Sequence, residues 1–295
     1  MKILLTGKDG QVGWELNRSL LHLGHIFALD RHQADLSKPD EVRKKLNEIR
    51  PDVIVNAAAY TAVDKAEAED SVAMTINGIA PGVLAEEARK LNALFVHYST
   101  DYVFDGEKED AYTESDVPSP VNVYGRTKLA GEQFIQESGS DYLIFRTSWV
   151  YAARGKNFLL TMMRLAQERE SISIVRDQFG SPVWARLIAE TTAHCISQAL
   201  PQRRSGNFDS QLFHLASAGS TSWHGFADAI MRIASERLAL KSRVRKINAI
   251  PTSEYPTPAR RPKNSRLASR KLESSFDVVM PHWRECLELC IEGMK

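Results

Sequence analysis

The sequence Lys2-Ile3-Leu4-Leu5-Thr6 is followed at once by Gly7-Lys8-Asp9-Gly10-Gln11-Val12-Gly13. The first stretch is short and apolar, as in a buried strand, and the second is a turn with glycines three residues apart. Because glycine has no Cβ, such a turn can adopt positive φ and let phosphate oxygens approach backbone amides. A helix beginning in the turn would direct its positive N-terminus at the same anion. This order predicts a dinucleotide-binding βα unit whose cofactor contacts include Gly7, Gly10, Gln11, Val12 and Gly13.

The first half of the chain continues to alternate short apolar runs with stretches of helical periodicity. The strand candidates are Lys2–Thr6, Ile26–Leu29, Val53–Asn56, Leu94–Ser99 and Leu143–Thr147. The helix candidates are Gln11–Leu23, Pro39–Ile49, Ala73–Leu91 and Tyr124–Glu137. Runs such as Val53-Ile54-Val55 are continuously apolar, as expected for strands covered on both faces. The order predicts an α/β fold with a Rossmann-type, doubly wound parallel sheet.

The second half has a looser rhythm. Its helix candidates are Asn157–Glu170, Trp184–Ala199 and Trp223–Leu238, and its strand candidates are Ile172–Val175 and Leu212–Ala216. We expect a smaller, mixed α/β substrate-binding domain here. The dinucleotide-binding domain would comprise residues 1–150 with returning segments at about 176–216. The substrate-binding domain would comprise about 151–175 and 217–295.

Bulk properties narrow the class of protein. The 295 residues carry a formal net charge of +1, which disfavours a dedicated nucleic-acid binder. No apolar run approaches the roughly 20 residues that span a bilayer, and we expect neither a signal peptide nor membrane association. Three cysteines are an odd number and suggest no disulfide framework. These features favour a cytoplasmic protein.

Further cofactor contacts are expected at the ends of the next two strands. Asp30 could accept hydrogen bonds from ribose hydroxyls, which favours NAD. Its neighbour Arg31 could instead pair with a 2′-phosphate, which favours NADP, so use of both NADPH and NADH is expected. Asp35 and Leu36 are placed for an adenine contact. The small residues after the third strand would let the cofactor lie against the backbone at Ala57, Ala58 and Ala59.

Tyr124 and Lys128 form a Tyr-x-x-x-Lys pair. Residues four apart share one face of a helix, so the phenol and the ammonium group would lie together. A free tyrosine has a pKa of about 10, and a nearby ammonium group lowers it by stabilising the phenolate. Downstream of a nucleotide-binding fold, and with Ser99-Thr100 closing a strand between them, this spacing predicts a proton donor.

These motifs together resemble the extended short-chain dehydrogenase/reductases. Five stretches narrow the resemblance to the dTDP-4-dehydrorhamnose reductases, and they spread over almost the whole chain: Ser99–Phe104, Asn122–Gly125, Phe145–Tyr151, Asp177–Gly180 and Thr257–Pro262. The resemblance implies reduction of dTDP-4-dehydro-L-rhamnose to dTDP-L-rhamnose by hydride transfer from NADPH or NADH. That reaction is the last step in making dTDP-L-rhamnose, a precursor of cell-surface polysaccharide.

The resemblance also implies residue roles. Thr100, Tyr124 and Lys128 would be catalytic: Tyr124 protonates the C4 oxygen, Lys128 holds the nicotinamide ribose, and Thr100 donates to the same oxygen. Thr100, Asp101 and Trp149 would contact the sugar. Asn77 would support Lys128 through a water.

The charge layout adds two candidate phosphate ligands. Between Lys241 and Lys271 there are ten Lys or Arg residues and one acid, Glu254. Such a stretch suits the diphosphate of a dTDP-sugar, although a solvated basic surface would look the same. Arg260 and Arg261 are the best candidates because flanking prolines restrain them.

One departure from the family concerns a metal. Members can form a dimer around Mg²⁺ held by glutamates, and Glu15 matches one of these, but Arg186 stands where another acid is expected. A guanidinium group offers no lone pair and repels the cation, so we expect no metal site, and a monomer or weak homodimer. Glu292 is a candidate for a substitute ligand. Two other functions remain open, namely another nucleotide-sugar reductase or epimerase of this fold and a non-catalytic regulatory subunit.

Overall fold

The computed structural model describes residues 1–294. In chain order the strands are β1 (Lys2–Thr6), β2 (His25–Leu29), β3 (Val53–Asn56), β4 (Leu94–Thr100), β5 (Tyr142–Thr147), β6 (Val150–Tyr151), β7 (Ser171–Val175), β8 (Phe179–Gly180), β9 (Val183–Trp184), β10 (Gln211–His214), β11 (Thr221–Ser222), β12 (Lys246–Ile250) and β13 (Asn264–Ser265). The helices are α1 (Gln11–Ser19), α2 (Pro39–Ile49), α3 (Val63–Ala66), α4 (Asp70–Met74), α5 (Ala80–Leu91), α6 (Val123–Glu137), α7 (Phe158–Glu168), α8 (Ala185–Arg204), α9 (Trp223–Leu238), α10 (Arg270–Phe276) and α11 (Trp283–Glu292). A π-helical turn spans Thr75–Ile79, and 3-10 turns span Asp101–Val103 and Thr252–Glu254.

The main sheet has the order β10-β5-β4-β3-β1-β2, and every neighbouring pair in it is parallel. The order reverses at β1 and β3, where the chain first runs outward to β2 and then crosses back. Open sheets of this kind bind ligands beyond the carboxyl ends of their strands, at such a reversal. The predicted Rossmann-type, doubly wound α/β fold is confirmed.

Apolar side chains alternate between the two faces of this sheet. Ile3, Leu5 and Val55 point to the face covered by α1 and α8. Leu4 and Ile54 point to the opposite face, where α2 and α5 contribute the core. Helices cover both faces, which explains why most residues of these strands are apolar.

Some predicted elements have different bounds. The helix expected over Gln11–Leu23 ends at Ser19. The helix expected over Ala73–Leu91 is interrupted by the π turn, where the Asn77 side chain bonds both backbone groups of Tyr60 (2.8 and 3.0 Å). A π turn adds one residue to the helical repeat and can therefore aim such a side chain inward. These contacts are long-range, and helical periodicity does not register them.

The second half supplies both a returning part and a separate core. Helix α8 packs against α1, and β10 joins the edge of the main sheet. A further apolar cluster joins α7, α9 and α11 through residues that include Leu159, Phe226, Ile230, Trp283 and Leu287. Small strand pairs, β7 with β12 and β6 with β9, lie outside the main sheet. No helix among residues 1–294 combines the length and apolar character needed to cross a membrane.

Candidate active site

A cavity of about 570 Å³ lies beyond the carboxyl ends of β1 to β4. It is lined by all but one of the predicted cofactor residues: Gly7, Gly10, Gln11, Val12, Asp30, Arg31, Asp35, Leu36, Ala57, Ala58, Ala59, Tyr124 and Lys128. The exception is Gly13, which lies on α1 behind the loop. The cavity thus joins the glycine turn to the Tyr-x-x-x-Lys helix, which is separated from it by more than a hundred residues.

The glycine turn leaves no room for side chains. Gly7 has φ +73°, and a Cβ there would lie 2.8 Å from the Ala58 nitrogen. A Cβ at Gly13 would lie 2.0 Å from the Gly7 oxygen, so Gly13 allows α1 to pack on the turn. The N-cap of α1 is Gly10, which provides no capping side chain. The first amides of α1 therefore face the cavity unpaired by a cap, as an anion-binding helix N-terminus requires, and a dinucleotide diphosphate fits this cradle.

Asp30 and Arg31 differ in how firmly they are held. The Asp30 carboxylate accepts the backbone N–H groups of His32 (2.9 Å) and Gln33 (3.0 Å) and lies 3.2 Å from Lys8 Nζ. The hydrogen bond from Lys8 lowers the pKa of Asp30. The Arg31 side chain is 79% exposed, and its Nε lies 3.9 Å from the Asp35 carboxylate. Arg31 is therefore free to turn toward a phosphate, whereas Asp30 is fixed.

Helix α6 positions Tyr124. The side chain of its N-cap residue Asn122 accepts a hydrogen bond from the Gly125 N–H (2.8 Å). A Cβ at Gly125 would lie 2.1 Å from the backbone carbonyl oxygen of Tyr102. The start of the helix thus packs closely against the 3-10 turn that follows β4. Burial and the Asp101 carboxylate together raise the pKa of Tyr124 to about 12, the opposite of the lowering expected from Lys128, and a hydrogen bond with Thr100 offsets only part of the rise. The resting phenol is consequently protonated at neutral pH and can act as an acid.

Lys128 lies one helical turn further and is 1% exposed. Its Nζ donates to the Tyr98 carbonyl (2.6 Å) and lies 3.0 Å from His97 Nε2. Burial lowers the pKa of Lys128 from its ordinary 10.5 to about 8. The Asn77 side chain makes its hydrogen bonds to Tyr60 and to the Thr127 hydroxyl, one residue before Lys128, so support of Lys128 by Asn77 through a water stays a prediction.

Two of the residues expected to contact a sugar, Thr100 and Asp101, lie beside Tyr124, whereas Trp149 does not line the cavity. Thr100 Oγ1 donates to Asp101 Oδ1 (3.0 Å), while Asp101 Oδ2 has no hydrogen-bond partner within residues 1–294. Burial raises the pKa of Asp101 to about 6. Trp149 has φ +46° and stacks on Trp223, with ring centroids 3.6 Å apart. A Cβ at Gly180 would lie 2.6 Å from the Trp149 indole.

The two candidate phosphate ligands of the basic segment are paired with acids. Arg260 Nη2 lies 2.9 Å from Glu107, and Arg261 Nη2 lies 2.8 Å from Asp64. Neither arginine lines the cofactor cavity. The backbone of Arg260 accepts a hydrogen bond from Asn122 (2.8 Å), so this segment is tied to the cap of α6. It therefore borders the Tyr124 side of the site.

Several cavity residues were missed by sequence reasoning. Gly155 and Lys156 line it from the loop before α7, and Asn157 in that loop donates to Gln11 (2.8 Å). Trp14 of α1 is covered by the guanidinium groups of Arg18 and Arg154. No local motif marks this loop, since it reaches the cavity through contacts between distant parts of the chain.

Two of the three residues considered for a metal line a second hollow. Glu15 and Arg186 face it together with Glu190. Arg186 Nε donates to Glu190 (2.7 Å), which raises the pKa of Arg186. Glu292 instead lies 3.0 Å from Arg237. No group of three or more His, Cys, Asp or Glu side chains suited to a metal occurs within the described range.

Comparisons with known proteins agree with this geometry. The family described as RmlD substrate binding domain matches residues 1–295. A dTDP-4-dehydrorhamnose reductase from Burkholderia thailandensis is 54% identical over 100% of this chain and 99% of its own. The Escherichia coli K12 reductase of the same name is 48% identical over 96% and 95%. A crystal structure of dTDP-4-dehydrorhamnose reductase from Bacillus anthracis in complex with NADP is 36% identical, covers 98% of both chains and has a TM-score of 0.87. The chain therefore belongs to the RmlD substrate binding domain family, together with these dTDP-4-dehydrorhamnose reductases.

Proposed function

We propose that this protein reduces dTDP-4-dehydro-L-rhamnose to dTDP-L-rhamnose with a nicotinamide cofactor, completing the synthesis of a precursor for cell-surface polysaccharide. The observation that carries the proposal is the meeting of Tyr124 and Lys128 with the glycine turn in one cavity. Relatives over the full length of the chain carry the name of this activity.

In this proposal Tyr124 is the proton donor. The bound cofactor supplies hydride to C4 of the sugar. As negative charge develops on the C4 oxygen, the Tyr124 phenol transfers its proton there and becomes a phenolate. A raised pKa suits this direction, because the phenol is fully protonated before the reaction. The charge of Lys128 offsets the cost of leaving a buried phenolate.

Thr100 and Asp101 would shape the other side of the reacting oxygen. The Thr100 hydroxyl is within hydrogen-bonding reach of Tyr124 and can offer a donor where charge develops. Its present acceptor, Asp101, is buried with one oxygen unpaired, so a sugar hydroxyl could complete that carboxylate's hydrogen bonds. Trp149 would pack against the sugar nucleotide, and Arg260 or Arg261 could exchange their acidic partners for its diphosphate.

We further infer that the two halves of the chain divide this work. The dinucleotide-binding domain would comprise residues 1–150 with the returning segment at about 176–216, and the substrate-binding domain about 151–175 and 217–295. Gly155 and Lys156 would reach across this division to the cofactor, and Thr100, Asp101 and Trp149 would reach across it to the sugar. The three cysteines are free thiols buried in the core, which fits a reducing cytoplasm.

The decisive test is a spectrophotometric assay with dTDP-4-dehydro-L-rhamnose, comparing NADH with NADPH. Net oxidation of the cofactor, with dTDP-L-rhamnose as product, is the expected result. An epimerase of this fold would interconvert sugars without net oxidation of added cofactor. A regulatory subunit would bind cofactor and leave the sugar unchanged. Either result would overturn the proposal.

We propose that the reaction needs no Mg²⁺ and that the protein is a monomer or weak homodimer. Arg186 places a cation in the hollow beside Glu15, where it competes with a metal for the carboxylates. Sedimentation and turnover are expected to be the same in EDTA and in millimolar Mg²⁺. A dimer that dissociates on chelation, with loss of turnover, would show that the hollow binds the metal despite Arg186.

A further inference from the structure

A row of polar side chains crosses the otherwise apolar sheet beneath Lys128. Thr6 on β1 pairs in register with Asn56 on β3, and Asn56 pairs in register with His97 on β4. The three side chains share the parity of Leu4, Ile54 and Phe95, which face the core on the α2 and α5 side. Each is at most 1% exposed. Since buried polar groups are costly unless bonded, this row needs internal partners.

The row is bonded from end to end and terminates on Lys128. Thr6 Oγ1 donates to Asn56 Oδ1 (2.6 Å), and Asn56 Nδ2 lies 3.1 Å from His97 Nδ1. On the other side of the ring, His97 Nε2 lies 3.0 Å from Lys128 Nζ. Three strands of the sheet therefore hold one amine on α6.

The Ala58 backbone gives the row a direction. Its N–H can only donate, and it donates to Asn56 Oδ1 (3.3 Å). The amide nitrogen of Asn56 must then face His97 Nδ1 and donate to it. Burial alone holds the pKa of the His97 ring below its usual range, so the ring is neutral whether or not Lys128 is charged. A neutral ring that accepts at Nδ1 carries its proton on Nε2, which points at Lys128.

With its proton on Nε2, the His97 ring disfavours the charged form of Lys128. An ammonium group has three donors and no lone pair, so it cannot accept from Nε2–H. For Lys128 to be charged, the ring proton must move to Nδ1 and Asn56 must turn its amide, which removes the bond from Ala58. The neutral amine requires no such loss.

The other titratable groups near Lys128 do not replace His97 as the side chain that opposes its charge. Glu132, one turn further on α6, is bonded by Arg146 at both oxygens (2.9 and 2.6 Å). Tyr124 is a neutral phenol, and Asp101 lies beyond it toward Thr100. The row also ends at Thr6, which is 0% exposed, so it offers no proton path to solvent.

We propose that His97 is a positioning residue for the proposed reaction, which fixes the Lys128 amine against the sheet and sets the upper pH limit of the charged, active lysine. The inference rests on the proposed function, because it assigns a partner to the lysine of that reaction. None of Thr6, Asn56 and His97 lines the cavity.

Two amide variants separate the ring's contacts. In His97→Gln the side chain reaches the Nε2 position and can present an oxygen that accepts from Lys128. In His97→Asn it reaches only the Nδ1 position, keeping the Asn56 contact and losing Lys128. We would measure kcat and KM across pH 6 to about 10.5, the ordinary lysine value, together with melting temperature. NADPH affinity, read by nicotinamide fluorescence over the same pH range, reports on Lys128 without any turnover.

His97→Gln is expected to move the alkaline limb of kcat, and of NADPH affinity, upward by about one pH unit. His97→Asn should lower kcat at least about tenfold with both KM values nearly unchanged. The proposal is overturned if His97→Asn keeps kcat within about twofold of the wild type. It is equally overturned if a His97→Gln protein of normal melting temperature keeps both limbs in place. Absence of turnover in the wild type would refute the proposed reaction, while the fluorescence titration would still decide the role of His97.

Discussion

The glycine turn and the tryptophan cluster, which comprises Trp149, Phe158 and Trp223, both contain left-handed backbone, but at different residue types. Gly7 adopts φ +73° at no steric cost, and a glycine at this position of the sequence already predicts such a conformation. Trp149 adopts φ +46°, which is unfavourable for a residue with a Cβ. Stacking on Trp223 at 3.6 Å and the space left by Gly180 hold it there. Local sequence thus determines the first site, and tertiary contacts determine the second.

Tyr124, which lines the cavity together with the glycine turn, should give the largest effect. Tyr124→Phe is expected to lower kcat by at least about 100-fold, because no other group there supplies the proton. Cofactor affinity should be nearly unchanged, since the ring still packs against Tyr102 (5.5 Å between centroids). Steady-state kinetics and NADPH titration provide the check. Turnover within about tenfold of the wild type would show that another group is the acid.

The glycine turn should respond to a single methyl group. Gly13→Ala places a Cβ 2.0 Å from the Gly7 oxygen, so α1 must shift away from the turn. We expect the free energy of unfolding to fall by about 1–3 kcal/mol, and NADPH to bind more weakly. Urea unfolding and fluorescence titration measure the two effects.

A matched control for this variant is Gly206→Ala. Gly206 has φ +74° with nothing within 4 Å of a Cβ, so only backbone strain is added. A loss of about 1 kcal/mol with unchanged NADPH affinity is expected. If Gly13→Ala also kept its affinity for NADPH, the turn would not be the diphosphate cradle.

Asp101, which lies beside Thr100, gives a pH-dependent test. Its pKa is raised from 3.8 to about 6 by burial, so the folded protein holds a proton that the unfolded chain has lost in this window. Stability from this group therefore decreases as the pH rises through that range. At pH 8, Asp101→Asn should be more stable than the wild type by up to about 3 kcal/mol, and less active.

Urea unfolding at pH 4 and pH 8 would measure this difference. The advantage of Asp101→Asn should shrink toward the lower pH. An equal advantage at both values would assign it to packing instead of charge.

The features that could be predicted from the sequence are those set by local sequence, and the features that could not are those set by tertiary contacts. The βα rhythm, the turn and the Tyr124/Lys128 spacing are local patterns, and the cavity brings together the residues they named. Lys156 and the His97 row were not predicted, because their partners are set by strand register and by the docking of a distant loop. The acidic partners of Arg260 and Arg261 were missed for the same reason, since charge counts do not say which acid lies opposite.

The tryptophan cluster should affect the sugar more than the cofactor. Trp223→Ala removes the ring that holds Trp149 in its left-handed conformation. We expect the KM for the sugar nucleotide to rise about tenfold, a loss of about 1.4 kcal/mol, while NADPH affinity stays within about twofold. Trp223→Phe is the control, because it retains a stacking face. Equal losses for both ligands would mean that the cluster supports the whole cleft.

The smallest effect is expected at Arg31, the flexible member of the cofactor residues. Its side chain is 79% exposed, and its Nε lies 3.9 Å from the Asp35 carboxylate, which is a weak ion pair. The side chain can therefore leave Asp35 for a 2′-phosphate. Arg31→Ala should weaken NADPH by several-fold, as expected for the loss of one exposed charge contact worth about 1 kcal/mol. NADH, which lacks the phosphate, should bind as before, since Asp30 remains fixed by His32 and Gln33.

Titrating each cofactor against the wild type and the variant at two salt concentrations measures this difference. The NADPH loss should shrink at higher salt because screening weakens an exposed ion pair. Equal losses for NADH and NADPH would mean that Arg31 maintains the loop and does not read the phosphate.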